Sequence, residues 1–347
     1  MTIPAMALTL LLAASVSAQQ WVQLKPLGAA PAARTNPAVV YDPLAHGLVV
    51  FGGRISGGEL NDVWVLDLSS GTWKEITPAS GPAPSPRSTH NAVCDPAHGR
   101  VLIWSGRRGG TLFNDVWAFD LIAHTWTEFT PEEPRPNIRY GTAAVFDPLA
   151  GHLVTFAGFT DQGRFQDTWR FDPAASVWTE VTQAITPGRR CLHAASYDAR
   201  QHRMLIYGGQ RAGPLGDLWA LDLNTDTWTE LTPADSPAGR SFPASAYDGP
   251  NHRLLIFGGD LQTGEKSNEV WSFDLEENRW SRLELSEGPA ARDGAGAAYV
   301  ESEGRLLVFG GAATQGLFND VWALEGLAPP PAAVESKSWG TLKLEAR

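Results

Sequence analysis

Cysteine is nearly missing from this chain: Cys94 and Cys191 are the only two. A domain of this size does not need disulfides to hold it together. Basic charge is also short. Lys and Arg number 27 against 38 Asp and Glu, a formal net charge of −11. That argues against nucleic acid as the main partner, because phosphate binding needs a basic surface. Long polar helical faces rich in Glu and Lys are absent, which favours an all-β chain. Beyond the N-terminus no stretch approaches 18 apolar residues, so no membrane span is expected. Turn formers and aromatics are plentiful instead, with 35 Gly, 25 Pro and 14 Trp in 347 residues. The chain is long enough to bury a large core.

The one long apolar stretch opens the chain, in "MTIPAMALTLLLAASVSAQQ". It runs from Ala5 to Val16 and ends in the small residues Val16-Ser17-Ala18, although no Lys or Arg precedes it. The expectation is a signal peptide over 1–18, a mature start at Gln19, and a periplasmic or extracellular protein. No Cys follows the run, so a lipid anchor is not expected.

The stretch "FGGRISGGELNDVWVLDLSSGTW", Phe51 to Trp73, is one copy of a repeat. Its doublet Gly52-Gly53 returns as Ser105-Gly106, Ala157-Gly158, Gly208-Gly209, Gly258-Gly259 and Gly310-Gly311. Its first Trp returns as Trp64, Trp117, Trp169, Trp219, Trp271 and Trp322, and its second as Trp73, Trp126, Trp178, Trp228 and Trp280. Spacings are 50 to 53 residues. An Arg lies upstream of each doublet: Arg34, Arg87, Arg139, Arg190, Arg240 and Arg292. Each unit contains four strand-like runs, and the second is continuously apolar. A strand reads this way when both faces of its sheet are covered, as in small sheets packed around an axis.

An apolar strand ending in Gly-Gly, a variable loop, then Asp-Val-Trp and a second Trp resembles the Kelch repeat. The resemblance covers residues 20 to 325, with Ser105, Ala157 and Glu269 as departures. It implies an all-β, six-bladed β-propeller with four antiparallel strands per blade. The sixth unit stops near Glu325 without its second Trp, and "QQWVQLKP" places Trp21 52 residues before Trp73. The N-terminal strand is therefore expected to close the last blade and leave no open edge. The domain plan is a signal peptide over 1–18, the propeller over 19–325, and a Pro-rich linker and tail over 326–347. That tail carries Trp339 and reads as a linker or as a docking segment for an envelope complex.

Strand parity puts the long loops on one face, the top, and the tight turns on the other. Top loops carry the six ring arginines with Arg54, Arg107, Arg108, Arg135, Arg164, Arg189, Arg211 and Lys266. The turns carry mostly Asp. An acidic protein can thus present a basic face to an anionic glycan or peptide. The ring arginines have a second reading. Two like charges ~7 Å apart repel by roughly 2 kcal/mol at an effective dielectric of 20. A ring of six needs counter-charges, and Asp62, Asp115, Asp167, Asp217, Glu269 and Asp320 supply one acid per Arg. Ion-pair belt and anion site both remain open.

Six of the eight histidines, among them His46, His98, His152, His202 and His252, fall in turns and are expected to be solvated. His90 and His193 each stand three residues after a ring Arg, and Tyr140 follows Arg139. Candidate ligand-binding residues are therefore Arg34, Arg87, His90, Arg139, Tyr140, Arg190, His193, Arg240 and Arg292, with the histidines as acid or base if there is chemistry. Cys94 sits where other units have Tyr or Phe and reads as a core residue. Cys191 reads as a free thiol near the channel mouth. No metal or cofactor is expected. A copper radical site would need a Tyr–Cys crosslink with two His and two Tyr, and five of the six Tyr occupy repeat positions. The leading function is a binding module for a protein or glycan. The rival is a sugar-active enzyme resembling bacterial sialic acid mutarotases, whose catalytic positions find no match here.

Overall fold

The computed structural model describes residues 18–78, 81–233 and 235–327. The expected signal peptide, apart from Ala18, and the tail beyond Leu327 lie outside them. Each repeat is a four-stranded antiparallel sheet with its strands in sequence order. Blade one consists of Ala38–Asp42, Gly47–Ile55, Gly58–Asp67 and Thr72–Ile76. Blades two to five repeat this order. The inner strands pack side by side in a closed ring, Gly296–Val300 of blade six lying against Ala38–Asp42 of blade one. Among the described residues the only helix is a 3-10 turn, Pro96–His98.

Blade six takes its outer strand, Gln20–Leu24, from the N-terminus. Trp21 lies opposite Leu324, and Gln20 opposite Glu325. The last sheet is thus built from both ends of the propeller, as the Trp21 spacing predicts. Second strands are buried on both faces: Leu48, Val49, Val50 and Phe51 are at most 3% exposed. That burial is why they read as unbroken apolar runs.

Blade-to-blade packing is set by the outer tryptophans. Each meets an aromatic ring at the end of the second strand of the preceding blade. Trp126 meets Phe51 at 5.0 Å, Trp178 meets Trp104 at 4.6 Å, and Trp228 meets Phe156 at 4.9 Å. Trp280 meets Tyr207 at 5.2 Å, and Trp73 meets Phe309 of blade six at 5.5 Å. Trp21 completes the set on Phe257 of blade five at 5.4 Å. Burying each such side chain contributes roughly 4–6 kcal/mol at ~25 cal/mol/Å², an upper figure because the unfolded chain already hides part of it.

The doublets explain their own composition. At the second position φ runs from +93° at Gly209 to +115° at Gly158, a region that side-chain-bearing residues avoid, and all six copies keep Gly. At the first position φ is near +60°, ordinary left-handed helical geometry. There Ser105 (φ 63°) and Ala157 (φ 58°) are accommodated.

A collar of backbone hydrogen bonds links the tops of the inner strands. Asn36 N donates to Gly294 O, Thr89 to Asn36, Gly141 to Thr89, Leu192 to Gly141, Phe242 to Leu192, and Gly294 to Phe242, at 2.7 to 3.3 Å. All six residues have φ between 51° and 62°. For Thr89, Leu192 and Phe242 that conformation costs on the order of 1 kcal/mol each. Closure of the ring overrides that preference.

The Trp21 contact makes closure testable. Trp21→Ala should lower the unfolding free energy by about 3–5 kcal/mol, as a core Trp within one continuous blade would. Urea denaturation measures it, and a loss near zero would mean the N-terminal strand does not close the ring.

Candidate functional site

The ring arginines lead from the sequence to the site, and their geometry is uniform. Arg34 Nη1 and Nη2 donate to the two carboxylate oxygens of Asp62 at 2.6 and 2.8 Å. Arg87 grips Asp115, Arg139 grips Asp167, Arg190 grips Asp217 and Arg292 grips Asp320 in the same fork. Arg240 makes a single contact with Glu269 at 3.1 Å, where the longer side chain replaces Asp. In each blade Nη1 also donates to the carbonyl of the first doublet residue. The same carboxylates accept the indole N–H of Trp64, Trp117, Trp169, Trp219, Trp271 and Trp322 at 2.7 to 3.0 Å. All six arginines are at most 1% exposed. An anion entering the channel meets none of their guanidinium groups. Arg34, Arg87, Arg139, Arg190, Arg240 and Arg292 form the ion-pair belt that the one-to-one count of acids suggested.

His90 and His193 are buried too, at 7% and 6% exposure. Each wedges edge-on against the preceding blade, His90 on Phe51 at 5.1 Å and His193 on Phe156 at 5.7 Å. Burial, and then the neighbouring Arg87 guanidinium, push the His90 pKa down to about 3. Burial and Arg190 depress His193 well below its ordinary value. Both are neutral wedges between blades. His98 is exposed as expected, but three other turn histidines depart from the solvated expectation. His46 pairs with Glu303 at 2.6 Å and His202 with Asp147 at 2.8 Å, each reaching the preceding blade, and His252 is 2% exposed.

Of the nine residues singled out, Tyr140 alone keeps accessible surface. Its surroundings make a site that sequence reasoning missed. The Arg107 guanidinium lies over the Tyr140 ring at 4.8 Å. Tyr140 meets Phe159 edge-to-face at 5.5 Å, and the Arg164 guanidinium lies over Phe159 at 5.2 Å. Two arginines are thus held by aromatic faces, across blades two and three. Backbone bridges Ser88–Arg107 and Tyr140–Phe159 fix the stack. The Nε groups of Arg107 and Arg164 are buried without a partner. A cleft of about 360 Å³ lies beside it, with Asn137, Ile138, Phe165, the arginines Arg164 and Arg189 and one acid, Asp161, in its lining.

Charge is unevenly matched around this mouth. Arg54, Arg107, Arg108, Arg164, Arg189 and Arg211 make no ion pair among the described residues, whereas every ring arginine does. Across the mouth, Lys266 is held between Asp260 and Asp293 at 3.2 and 2.8 Å. Cys191 is a free thiol, 2% exposed, and burial raises its pKa against the opposing pull of Arg164. Cys94 is also free and only half-buried, on the channel wall rather than in the core.

The histidine wedges predict acid lability. An unfolded His has a pKa near 6.5 and the folded His90 near 3, so the unfolded state binds the extra proton. This contribution is fully present above about pH 6.5 and is lost as pH falls toward 3, at up to ~1.4 kcal/mol per pH unit. His90→Thr, the residue blade three has at Thr142, should shrink the stability difference between pH 7 and pH 5 by roughly 2 kcal/mol. Identical pH slopes in denaturant titrations of both proteins would refute it.

The KLHDC2/KLHL20/DRC7 Kelch-repeats domain matches residues 6–186, 76–246 and 232–343. The chain is similar to acyl-CoA-binding domain-containing protein 5 of Arabidopsis thaliana, 36% identical over 47% of this chain and 24% of that protein. It is similar to human leucine-zipper-like transcriptional regulator 1, 29% identical over 50% of this chain and 22% of that protein. Adagio-like protein 1 of Oryza sativa subsp. japonica is 31% identical over 58% of this chain and 32% of its own length. The chain therefore spans about a fifth to a third of the length of the relatives it matches. Six blades in one repeat geometry and family matches spanning nearly the whole sequence place this chain in the Kelch-repeat family.

Proposed function

We propose that this propeller is a protein-binding module that receives an acidic segment of its partner on the loop face. Arg107 and Arg164 are the anion contacts, and Tyr140 with Phe159 is the surface against which the segment lies. The observation that carries this reading is the contrast between two arginine sets. The ring set is buried and paired with acids, while on the loop face Arg54, Arg107, Arg108, Arg164, Arg189 and Arg211 make no ion pair among the described residues and Arg135 alone has one, with Glu133. Guanidinium groups held over aromatic rings are already ordered, so less rotamer entropy is lost on binding. Kelch propellers are typically protein-interaction modules, which agrees with this use of the face. The neutral, buried His90 and His193 favour binding over sugar chemistry, since neither is placed to exchange protons with a substrate.

Export belongs to the same proposal and rests on the apolar run before Gln19. N-terminal sequencing of the mature protein should begin at Gln19, and a product that retains the run would refute it.

Fluorescence anisotropy with labelled acidic peptides tests the binding reading. Arg107→Ala with Arg164→Ala should weaken an acidic peptide about tenfold or more and flatten its salt dependence. An acidic oligosaccharide in the same assay separates a glycan ligand from a peptide. Unchanged peptide affinity in a folded variant would sink the proposal.

A further inference from the structure

A second, larger cavity lies at the opposite end. It fills the turn-side half of the channel, with a volume of about 680 Å³. That is the size of a small-molecule site. One position on every inner strand builds its wall: Tyr41, Cys94, Phe146, Tyr197, Tyr247 and Tyr299. Five of these six are aromatic. No Lys or Arg lines the cavity, and its one carboxylate, Glu301, is exposed at the rim.

A second ring stands directly behind the first. In five blades the next residue is a buried acid: Asp42, Asp95, Asp147, Asp198 and Asp248. Arg100, Arg203 and Arg253 pair with three of them. Asp42 receives only the backbone N–H groups of Leu44 and Ala45. Asp147 takes His202, and its other carboxylate oxygen has no hydrogen-bond partner. At the rim Glu303 engages His46 and Arg305, while Arg200 is held by Glu276. The balance around the cavity is negative, and the wall registers it. Burial, and then Asp147 and Asp198, push the Tyr197 hydroxyl up to about 12. Burial, and then Asp42 and Asp95, do the same to the Cys94 thiol, also to about 12.

Aromatic walls, uncompensated carboxylates behind them and a lining whose one basic side chain, His46, is engaged by Glu303 disfavour an anion and favour a cation with an apolar body. We propose that the turn-side half of the channel binds a small organic ammonium ion. Its apolar body packs on the Tyr and Phe ring, and its charge faces the Glu301 and Asp42 side. This site is at the far end of the propeller from the loop-face stack, so either can fail alone.

The test uses the full chain and three probes of similar shape: benzyltrimethylammonium, benzyl alcohol and benzoate, titrated by calorimetry. The ammonium ion should bind saturably and about tenfold tighter than the alcohol, with no benzoate binding. Glu301 is exposed, so its variants should keep the fold, which melting curves check. Glu301→Gln should weaken the ammonium ion about threefold, and Glu301→Lys should abolish binding. No saturation by about 10 mM, equal affinity for the alcohol, or parent-like binding to Glu301→Lys would each overturn the proposal.

Discussion

A guanidinium held out of water must find partners for its donors, and in each blade one arginine does so by tying several pieces of chain together. Arg87 shows the pattern. Its side chain joins the start of the third strand at Asp115 to the end of the second at the Ser105 carbonyl. Its backbone ties the preceding blade, with N–H donating to Leu60 O and its carbonyl accepting from Gly53 N. Asp115 in turn orients Trp117 through the indole N–H. A single residue thus fixes the register within one sheet and the docking of that sheet on its neighbour. Removing Asp115 would leave a buried, unpaired charge, which is costlier than never having placed one there. That asymmetry explains why the whole set repeats as a unit, with Glu269 as its only variation.

Much of this was legible because it is periodic. The Trp spacing fixed six blades, and Trp21 identified the strand that closes the ring. The equal number of upstream arginines and third-strand acids made the belt readable in the sequence alone. The site was not legible, for a physical reason. Arg87 and Arg107 are the same residue type, twenty positions apart, in loops that look alike in sequence. Burial separates them, and burial depends on which carboxylate the tertiary fold brings near. The collar left no trace either, because Thr89, Leu192 and Phe242 are poor choices for left-handed backbone. Turn histidines misled for the same reason. His202 reaches a carboxylate of another blade, which no local pattern announces.

Net charge misleads in the same way when it is assigned to faces by counting. Most turn-face aspartates are turn builders. Asp67, Asp120, Asp172, Asp222 and Asp274 each accept two backbone N–H groups from the residues two and three positions on. Hydrogen bonding of this kind lowers the Asp67 pKa despite full exposure. These carboxylates stay charged, but they end the third strands, away from the channel, so the field inside it comes from the acids that end the inner strands. Among them Asp42 meets no cation and Asp147 meets only His202, while at the other end the loop arginines set the field.

The residue immediately after each doublet shows where constraint stops. Its backbone position is the same in every blade, bridging to the residue that follows the ring arginine. Yet the six copies are Arg54, Arg107, Phe159, Gln210, Asp260 and Ala312. Two positions upstream the backbone conformation admits only a few small residues, and one position upstream it admits only glycine. At the bridge the backbone is pinned by its own hydrogen bonds, and the side chain is free of packing demands. Ring closure therefore dictates one residue and leaves its neighbour open. The mouth can be basic and aromatic over blades two and three, and acidic over blades five and six, without altering a single contact that holds the ring together.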